Sequence, residues 1–370
     1  MRIETVTLFH AQMPLVQPFE TSFGVETDRP CIIVRVEGDG ATGWGECVAG
    51  SGPWYSPETI GTAWHILSEF LIPLAQGQDY AAASDVFDSF GRVRGHRMAK
   101  AGLEMAIWDL QAKQQGRPLA EMLGGVRDRV AVGVSVGIQS SLPQLLDVIG
   151  GYLHQGYGRI KIKIKPGWDV AITRAVREQF PDTLLQVDAN SAFTLRDAHL
   201  FTAMDDLDLL LIEQPLDDED IYDHAALQRQ LQTPICLDES ILSVDHARAA
   251  IELGSCRVIN IKPGRVGGYT ASRRIHDLCQ EHDIPVWHGG MLETGIGRAH
   301  SVALATLPNF TLPGDISASN RYYRSDIVDR PFVLNDDSTL SVPTGPGIGV
   351  AVDEERLQHI TVRQATFTRQ

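Results

Sequence analysis

Five side chains able to move a proton or hold a metal recur on a fixed beat. Lys163, Asp188, Glu213, Asp238 and Lys262 follow one another at steps of 25, 25, 25 and 24 residues. The last four each close a short, mainly apolar run: 184–187, 209–212, 235–237 and 258–261. That period is the length of one strand–helix unit, so each strand would carry a functional group at its carboxyl end. Adjacent parallel strands lie ~4.8 Å apart, and the three acids would therefore converge. Three anions in one apolar mouth repel unless a cation neutralises them. Hard oxygen donors with room for water and substrate favour Mg²⁺ or Mn²⁺ over zinc. Three unrelated acids capping helices or pairing with arginines is the bland alternative, and their common phase with the repeat counts against it. Asn190, Gln214, Glu239 and Ser240 adjoin the acids and are read as their support. The acidic run 217–220 opens a helix, which the helix dipole explains.

Lys163 precedes the acidic strands and Lys262 follows them, so the two flank the expected metal. A lysine is a poor base at its ordinary pKa of ~10.4. Lys161, the metal and desolvation are expected to depress it. A shift of ~3 units corresponds to ~4 kcal/mol. Two opposed lysines at a metal suit proton transfer at one carbon. A strand lysine can instead form a Schiff base, as in aldolases, but that leaves the acids unexplained. A non-catalytic barrel used as a binding module is the third reading, which α-proton exchange in deuterated water would exclude.

Residues 159–165 alternate a cation with isoleucine, and taken alone this fits a strand with a solvated charged face. Within the repeat it becomes the second of eight parallel strands, with Lys161 and Lys163 pointing into the mouth and Lys165 past the strand end. The first strand spans 130–136, with Ser135 at its end; the seventh spans 284–287; a short eighth spans 309–312 and ends near Asp315. Eight strands with intervening helices form a (β/α) barrel, whose sites lie at the carboxyl ends of the strands.

The first 125 residues differ. Runs at 3–9, 31–36 and from 43 read as an antiparallel sheet, followed by helices over 57–74 and 100–115. The last carries an apolar stripe of Leu103, Ala106, Ile107 and Leu110, and its Glu104 and Asp109 read as packing partners. Two aromatic loops, 18–24 with Phe19 and Phe23 and 49–56 with Trp54, are expected to form a lid over the substrate. The boundary falls at Gly124-Gly125: residues 1–125 form an α+β capping domain, 126–321 the barrel, and 322–370 return to complete the cap.

Composition bounds the rest. The net charge of −15 argues against a nucleic-acid partner. No apolar run is long enough to span a membrane, and the N-terminus is no signal peptide. The five cysteines, without metal-type spacing, read as reduced thiols of a cytoplasmic protein. A homo-oligomer is compatible with the sequence, which sets no oligomeric state.

Lys-Ile-Lys, Val-Asp-Ala-Asn, Ile-Glu-Gln-Pro, Leu-Asp-Glu-Ser and Asn-Ile-Lys-Pro-Gly-Arg-Val-Gly-Gly occur in order at this spacing. Together they resemble the muconate-lactonizing subgroup of the enolase superfamily. The stretches 289–298 and 312–319 resemble its o-succinylbenzoate synthase/N-acylamino acid racemase branch. The resemblance implies a (β/α)7β TIM-like barrel with an α+β cap, Mg²⁺ on Asp188, Glu213 and Asp238, and acid/base work by Lys163 and Lys262. For these two lysines it implies removal of a proton α to a carboxylate through an enediolate. Lys161, Asn190, Glu239 and Arg265 would support them. Phe19, Phe23, Trp54, Ser135, Met291, Glu293 and Asp315 would contact a small carboxylate substrate. The implied activity is succinylbenzoate synthesis by dehydration, a step of menaquinone biosynthesis, together with racemisation of N-succinyl or other N-acyl amino acids; a dedicated racemase is the alternative. Dipeptide epimerases carry two acids at the eighth strand, whereas here the pair is Asp315 and Ser317, and a cycloisomerase is also less favoured. His288 lies where mandelate-racemase relatives place a base, but Lys262 fills that role and His288 is expected to be structural.

Overall fold

A computed structural model of the protein describes residues 1–22 and 24–369. Strands β1 (Thr5–Thr21), β2 (Gly24–Gly38) and β3 (Ala41–Cys47) form an antiparallel meander. The first two run further than the sequence patterning indicates. Their pairing shifts register between Pro14 and Phe19, then resumes with Phe19 opposite Glu26 and Thr21 opposite Gly24. Pro14 and Pro18 lack the amide a ladder needs, which localises the irregularity. The first aromatic stretch is thus the tip of a long hairpin rather than a loop.

Helix Arg97–Gln114 lies directly on β3. A Cβ added at Gly45 would stand 2.3 Å from the Gly102 carbonyl oxygen, so only glycine permits this approach. The helix is sandwiched, and apolar residues on every face are buried, not just the expected stripe. Its two acids are buried with it. Glu104 accepts from the amides of Tyr269 (2.6 Å) and Thr270 (3.0 Å), from the Thr270 hydroxyl and from Trp108 Nε1. It thereby caps the barrel helix Tyr269–Glu281. Asp109 accepts from the amides of Trp44 and Ile348 and from Lys113. Glu46, near the end of β3, accepts from Thr294 and Gly297 and caps helix Gly295–Leu304.

After helix Leu119–Leu123, closed by Gly124 at φ 91°, the chain enters a second sheet. The expected first strand is broken in two. β4 (Arg129–Ala131) leaves the barrel to pair with the tail, while β5 (Val134–Val136) begins the parallel sheet. Gly133 lies at the break, where a Cβ would come within 2.4 Å of Arg159 Nε. The sheet continues through β6 (Arg159–Lys163), β7 (Leu184–Asp188), β8 (Ile212–Glu213), β9 (Ile235–Leu237), β10 (Val258–Ile261) and β11 (Val286–His288). These seven strands are parallel and in chain order. The expected eighth strand, flanked by Pro308 and Pro313, is reduced to single bridges, Val286 to Phe310 and Val132 to Gly314.

The tail supplies β12 (Thr339–Ser341), which pairs with β4, and β13 (Thr361–Thr368), which adds to the cap sheet beside β1. One apolar core runs from the cap into the barrel, and a smaller cluster of Leu211, Cys236, Val258 and Trp287 is separate from it. All five cysteines are buried and unbonded. Among the described residues, no helix is long and apolar enough to cross a membrane.

Candidate active site

Parallel register does the positioning. Lys163 on β6 pairs with Asp188 on β7, which pairs with Glu213 on β8. Asp238 lies one residue past β9 and Lys262 one past β10. Three acidic strands therefore separate the two lysines in the sheet order. The residues following the first two acids, Asn190 (φ 42°), Ser191 (φ 63°) and Gln214 (φ 38°), take left-handed backbone conformations uncommon for their types. Such turns aim side chains back over the strand ends.

The contacts are dense. Lys163 Nζ lies 2.6 Å from Asp188 Oδ2 and 2.7 Å from Asn190 Oδ1. Asn190 passes the link on by donating to Glu239 (2.8 Å). Lys161 Nζ meets Glu213 (2.8 Å), Asp188 (3.1 Å) and Asp315 (2.5 Å). Lys262 Nζ meets Asp238 Oδ2 (2.7 Å) and the Tyr55 hydroxyl (3.1 Å), which itself donates to Asp238 Oδ1 (3.0 Å). Arg265 is buried; its guanidinium donates to Asp238 and to the Asn260 and Ile241 carbonyls. It therefore braces an acid and does not line the cavity, so a direct substrate contact is not its place.

Five acids (Asp188, Glu213, Asp238, Glu239, Asp315) face five cations (Arg159, Lys161, Lys163, Lys262, Arg265), all buried. Burial favours the neutral form of each, and the opposite charges resist it. For Lys161 and Lys262 burial pulls the pKa down, but the neighbours outweigh it: Asp315, Glu213 and Asp188 on Lys161, and Tyr55, Glu239 and Glu213 on Lys262. Both ammonium groups are held above their ordinary value. Among the protein's own groups the acids thus outweigh burial at these two lysines, whereas the expected depression relies on the metal as well. Asp188 and Asp315 are held well below the usual carboxylate range, where Lys163 with Lys161, and Lys161 with Arg159, overcome burial. Glu213 is pushed up to about 7 by burial and by Asp188. His288 is buried, its ring nitrogens have no partner among the described residues, and burial lowers its pKa to about 3. It is a neutral imidazole.

Among the described residues, no three His, Cys, Asp or Glu side chains are gathered as a ready metal cluster. Ammonium and guanidinium groups lie between the three expected ligands instead. The donor set still suits a divalent cation. Asp188, Glu213 and Asp238 are hard oxygen donors, and Glu239 Oε2 and Asn260 Oδ1 are buried acceptors without a partner among the described residues.

A cavity of about 90 Å³, open at its mouth, lies over this cluster between barrel and cap. Lys161, Lys163, Lys262, Asn190, Ser135 and Asp315 line it from the barrel. Phe19, Met291 and Trp54 also line it, although Trp54 stands at the rim, 65% exposed. The hairpin tip is docked on the barrel: the Glu20 carbonyl accepts from the Ile138 amide (3.0 Å), and Lys165 meets Glu20 (3.3 Å). Phe23 lies outside the described residues. Glu293 departs from expectation. It does not line the cavity, because its carboxylate turns back to accept from the Met291 amide (2.9 Å). Asp315 lines the cavity but is already neutralised by Arg159 (2.7 Å) and Lys161.

Four residues escape the sequence reading. Asn260 donates to Glu213 (2.7 Å), and its signal is alternation, two residues before Lys262. Arg159 shares the inward face of Lys161 and Lys163 by the same period, and stacks with Lys161 over Trp287 in the barrel interior. Tyr55 and Arg29, both lining the cavity, come from the cap, where no repeat points to them.

Two family models cover most of the chain. Residues 3–124 match the mandelate racemase/muconate lactonizing enzyme N-terminal domain, and residues 145–356 match the enolase C-terminal domain-like family. The chain is 55% identical to N-succinylamino acid racemase of Amycolatopsis over 98% of both chains. It is 53% identical to o-succinylbenzoate synthase of Geobacillus stearothermophilus over all of this chain and 98% of that one. A solved enolase superfamily structure from Listeria innocua superposes with a TM-score of 0.96 at 42% identity, covering both chains fully.

Proposed function

The chain belongs to the enolase superfamily, and on that premise we propose that it removes the proton α to the carboxylate of a small substrate, as an o-succinylbenzoate synthase and N-succinylamino acid racemase. The observation that carries this reading is the placing of two cavity-lining lysines, Lys163 and Lys262, on either side of three buried acids. Relatives of similar identity bear the two names, which favours both activities on one site. We read the frame as a (β/α)7β barrel, supported by the bridge of Phe310 to Val286 in the last parallel strand and of Gly314 to Val132, two residues before the first.

Asp188, Glu213 and Asp238 would hold Mg²⁺ or Mn²⁺. When bound, the cation supplies positive charge for the substrate carboxylate and for the negative charge that develops on it. This chain's residues do the rest. Lys163 and Lys262 exchange the α-proton from opposite faces, each ammonium held in place by an acid and one further partner. Asn190 and Tyr55 are those partners, and they fix Nζ within hydrogen-bonding reach. Lys161, bound to three acids, stays charged and contributes a fixed cation. Dehydration needs one base, because proton and hydroxide leave from one face; racemisation needs one on each face. A Schiff-base reading fits poorly, since it gives no role to the three buried acids Asp188, Glu213 and Asp238. Asp315, already paired, offers no free anion to a substrate ammonium, which disfavours a dipeptide substrate.

The test is a pair of assays on one preparation: aromatising dehydration and racemisation of an N-succinyl amino acid, with and without chelator. The reading expects both reactions, both abolished by EDTA and restored by Mg²⁺ or Mn²⁺. Full turnover in excess EDTA, or borohydride trapping of substrate on Lys163 or Lys262, would overturn it.

A further inference from the structure

The cavity carries a second cationic element that the chemistry above does not use. Arg29, on β2 opposite Met13, is 3% exposed and lines the cavity from the cap side, next to Gly50 of the second aromatic loop. One NH2 proton goes to the Val48 carbonyl. Its Nε has no partner among the described residues. Its NH1 faces Glu26 at 3.8 Å, within ion-pair range but beyond a hydrogen bond. Burying a guanidinium with donors unused is costly, and such a group is normally satisfied by a carboxylate or by water. Glu26 is a loose counterion. Its side chain is 32% exposed, and its Oε2 also lacks a hydrogen-bond partner.

The path through the cavity is continuous. From Lys262 it passes to Tyr55, whose hydroxyl is 3.1 Å from Nζ, and along the Gly50–Gly52 loop to Arg29. One anionic end of a ligand belongs at the lysines. We propose that Arg29 is the recognition point for a second carboxylate at the far end of the substrate, so that the site selects acids carrying an anionic acyl tail. This rests on the functional reading above, in which a succinyl group is common to both substrates. A guanidinium receives a carboxylate through charge-assisted N–H donors, and NH1, beside Glu26 and Gly50 at the cavity wall, is the donor placed to reach it. Glu26 then opposes binding: it must yield its place beside Arg29 to the incoming tail.

Opposite effects of two substitutions follow. Dissociation constants are measured by calorimetry, with Mg²⁺ present, for the N-succinyl and N-acetyl derivatives of one amino acid. The protein is compared with its Arg29→Gln and Glu26→Gln variants. The wild-type protein should bind the succinyl compound more tightly. Arg29→Gln should cut that preference about tenfold or more, the size of one lost charge-assisted hydrogen bond. Glu26→Gln should raise it. If Arg29→Gln fails to fold, Glu26→Gln alone decides. An unchanged preference in the folded variants, or equal weakening for both ligands, would overturn the proposal by making Arg29 a structural cation. Because binding is read without turnover, a protein that binds with this preference but racemises neither compound would contradict the functional reading and leave the Arg29 assignment standing.

Discussion

Two sets of buried acids occupy this chain, and they are satisfied in different ways. In the cap, Glu46, Glu104 and Asp109 accept from backbone amides at helix ends and loops. At the carboxyl ends of the barrel strands, Asp188, Glu213, Asp238 and Asp315 are met chiefly by lysine and arginine side chains. Both sets are equally hidden from water. An amide is part of the fold and cannot leave, so the first set fastens cap to barrel. An ammonium on a flexible stem can swing away, so Asp188 and Asp238, met by Lys163 and Lys262, can exchange that partner for a metal. Burial does not separate function from structure here; the mobility of the counter-group does.

The sharpest separation should come from removing one acid or base from each set. Lys163→Ala should lower kcat for both reactions by ~10²–10⁴-fold or more, with the melting temperature little changed. A folded Lys163→Ala enzyme keeping more than a tenth of wild-type kcat would break the distinction. Glu104→Ala should do the reverse. It strands the Tyr269 and Thr270 amides and the Trp108 indole, at a cost of about 3–5 kcal/mol. Urea unfolding should show that loss while the surviving folded enzyme keeps its KM. A change in KM without a loss of stability would move Glu104 out of the fastening set.

Glu46 offers a subtler test, in pH. Burial, against the Thr294 hydrogen bonds, pushes its pKa up to about 7, with Glu293 nearby adding to the rise and Arg29 opposing it. The folded state therefore holds a proton between the ordinary carboxyl value and about 7, where the unfolded chain has lost it. Its contribution to stability is fully present at low pH and is lost as pH rises through that window. The loss is on the order of 3 kcal/mol. Relative to Glu46→Gln, which cannot titrate, the protein should lose stability between pH 4.5 and pH 8. Parallel stability curves for the two across that range would show that Glu46 does not titrate there. Smallest is the hairpin tip. Phe19 packs edge-on against Tyr322, with Arg321 over its ring. Phe19→Ala should raise KM by roughly threefold to tenfold with little change in melting temperature, because loop and hairpin tips bury little. A lower melting temperature at constant KM would make Phe19 a core residue.

The sequence shows the barrel half of this comparison far better than the cap half. A repeat of about 25 residues converts linear spacing into spatial alignment, so Lys163, Asp188 and Glu213 fall side by side. Alternation within β6 adds Lys161 and extends to Arg159. The cap has no repeat. Tyr55 and Arg29 reach the cavity because a meander folds over the barrel, a long-range packing event with no local period. Gly133, where the first strand splits, owes its role to the Arg159 side chain 26 residues away. The lengths of β1 and β2 likewise depend on docking against the barrel rim, which no local propensity encodes.

The central claim is that two lysines work from opposite faces of one carbon, and Lys262→Arg tests it most directly. Arginine keeps the cation but is far too weak an acid to exchange protons near neutral pH. Each enantiomer of an N-succinyl amino acid is incubated with the variant in deuterated water, and α-proton exchange and inversion are followed by NMR. The account predicts that one enantiomer exchanges its α-proton through Lys163 without inverting, and that the other is inert. Racemisation of both enantiomers at near wild-type rate would contradict it and remove Lys262 from the role of second base.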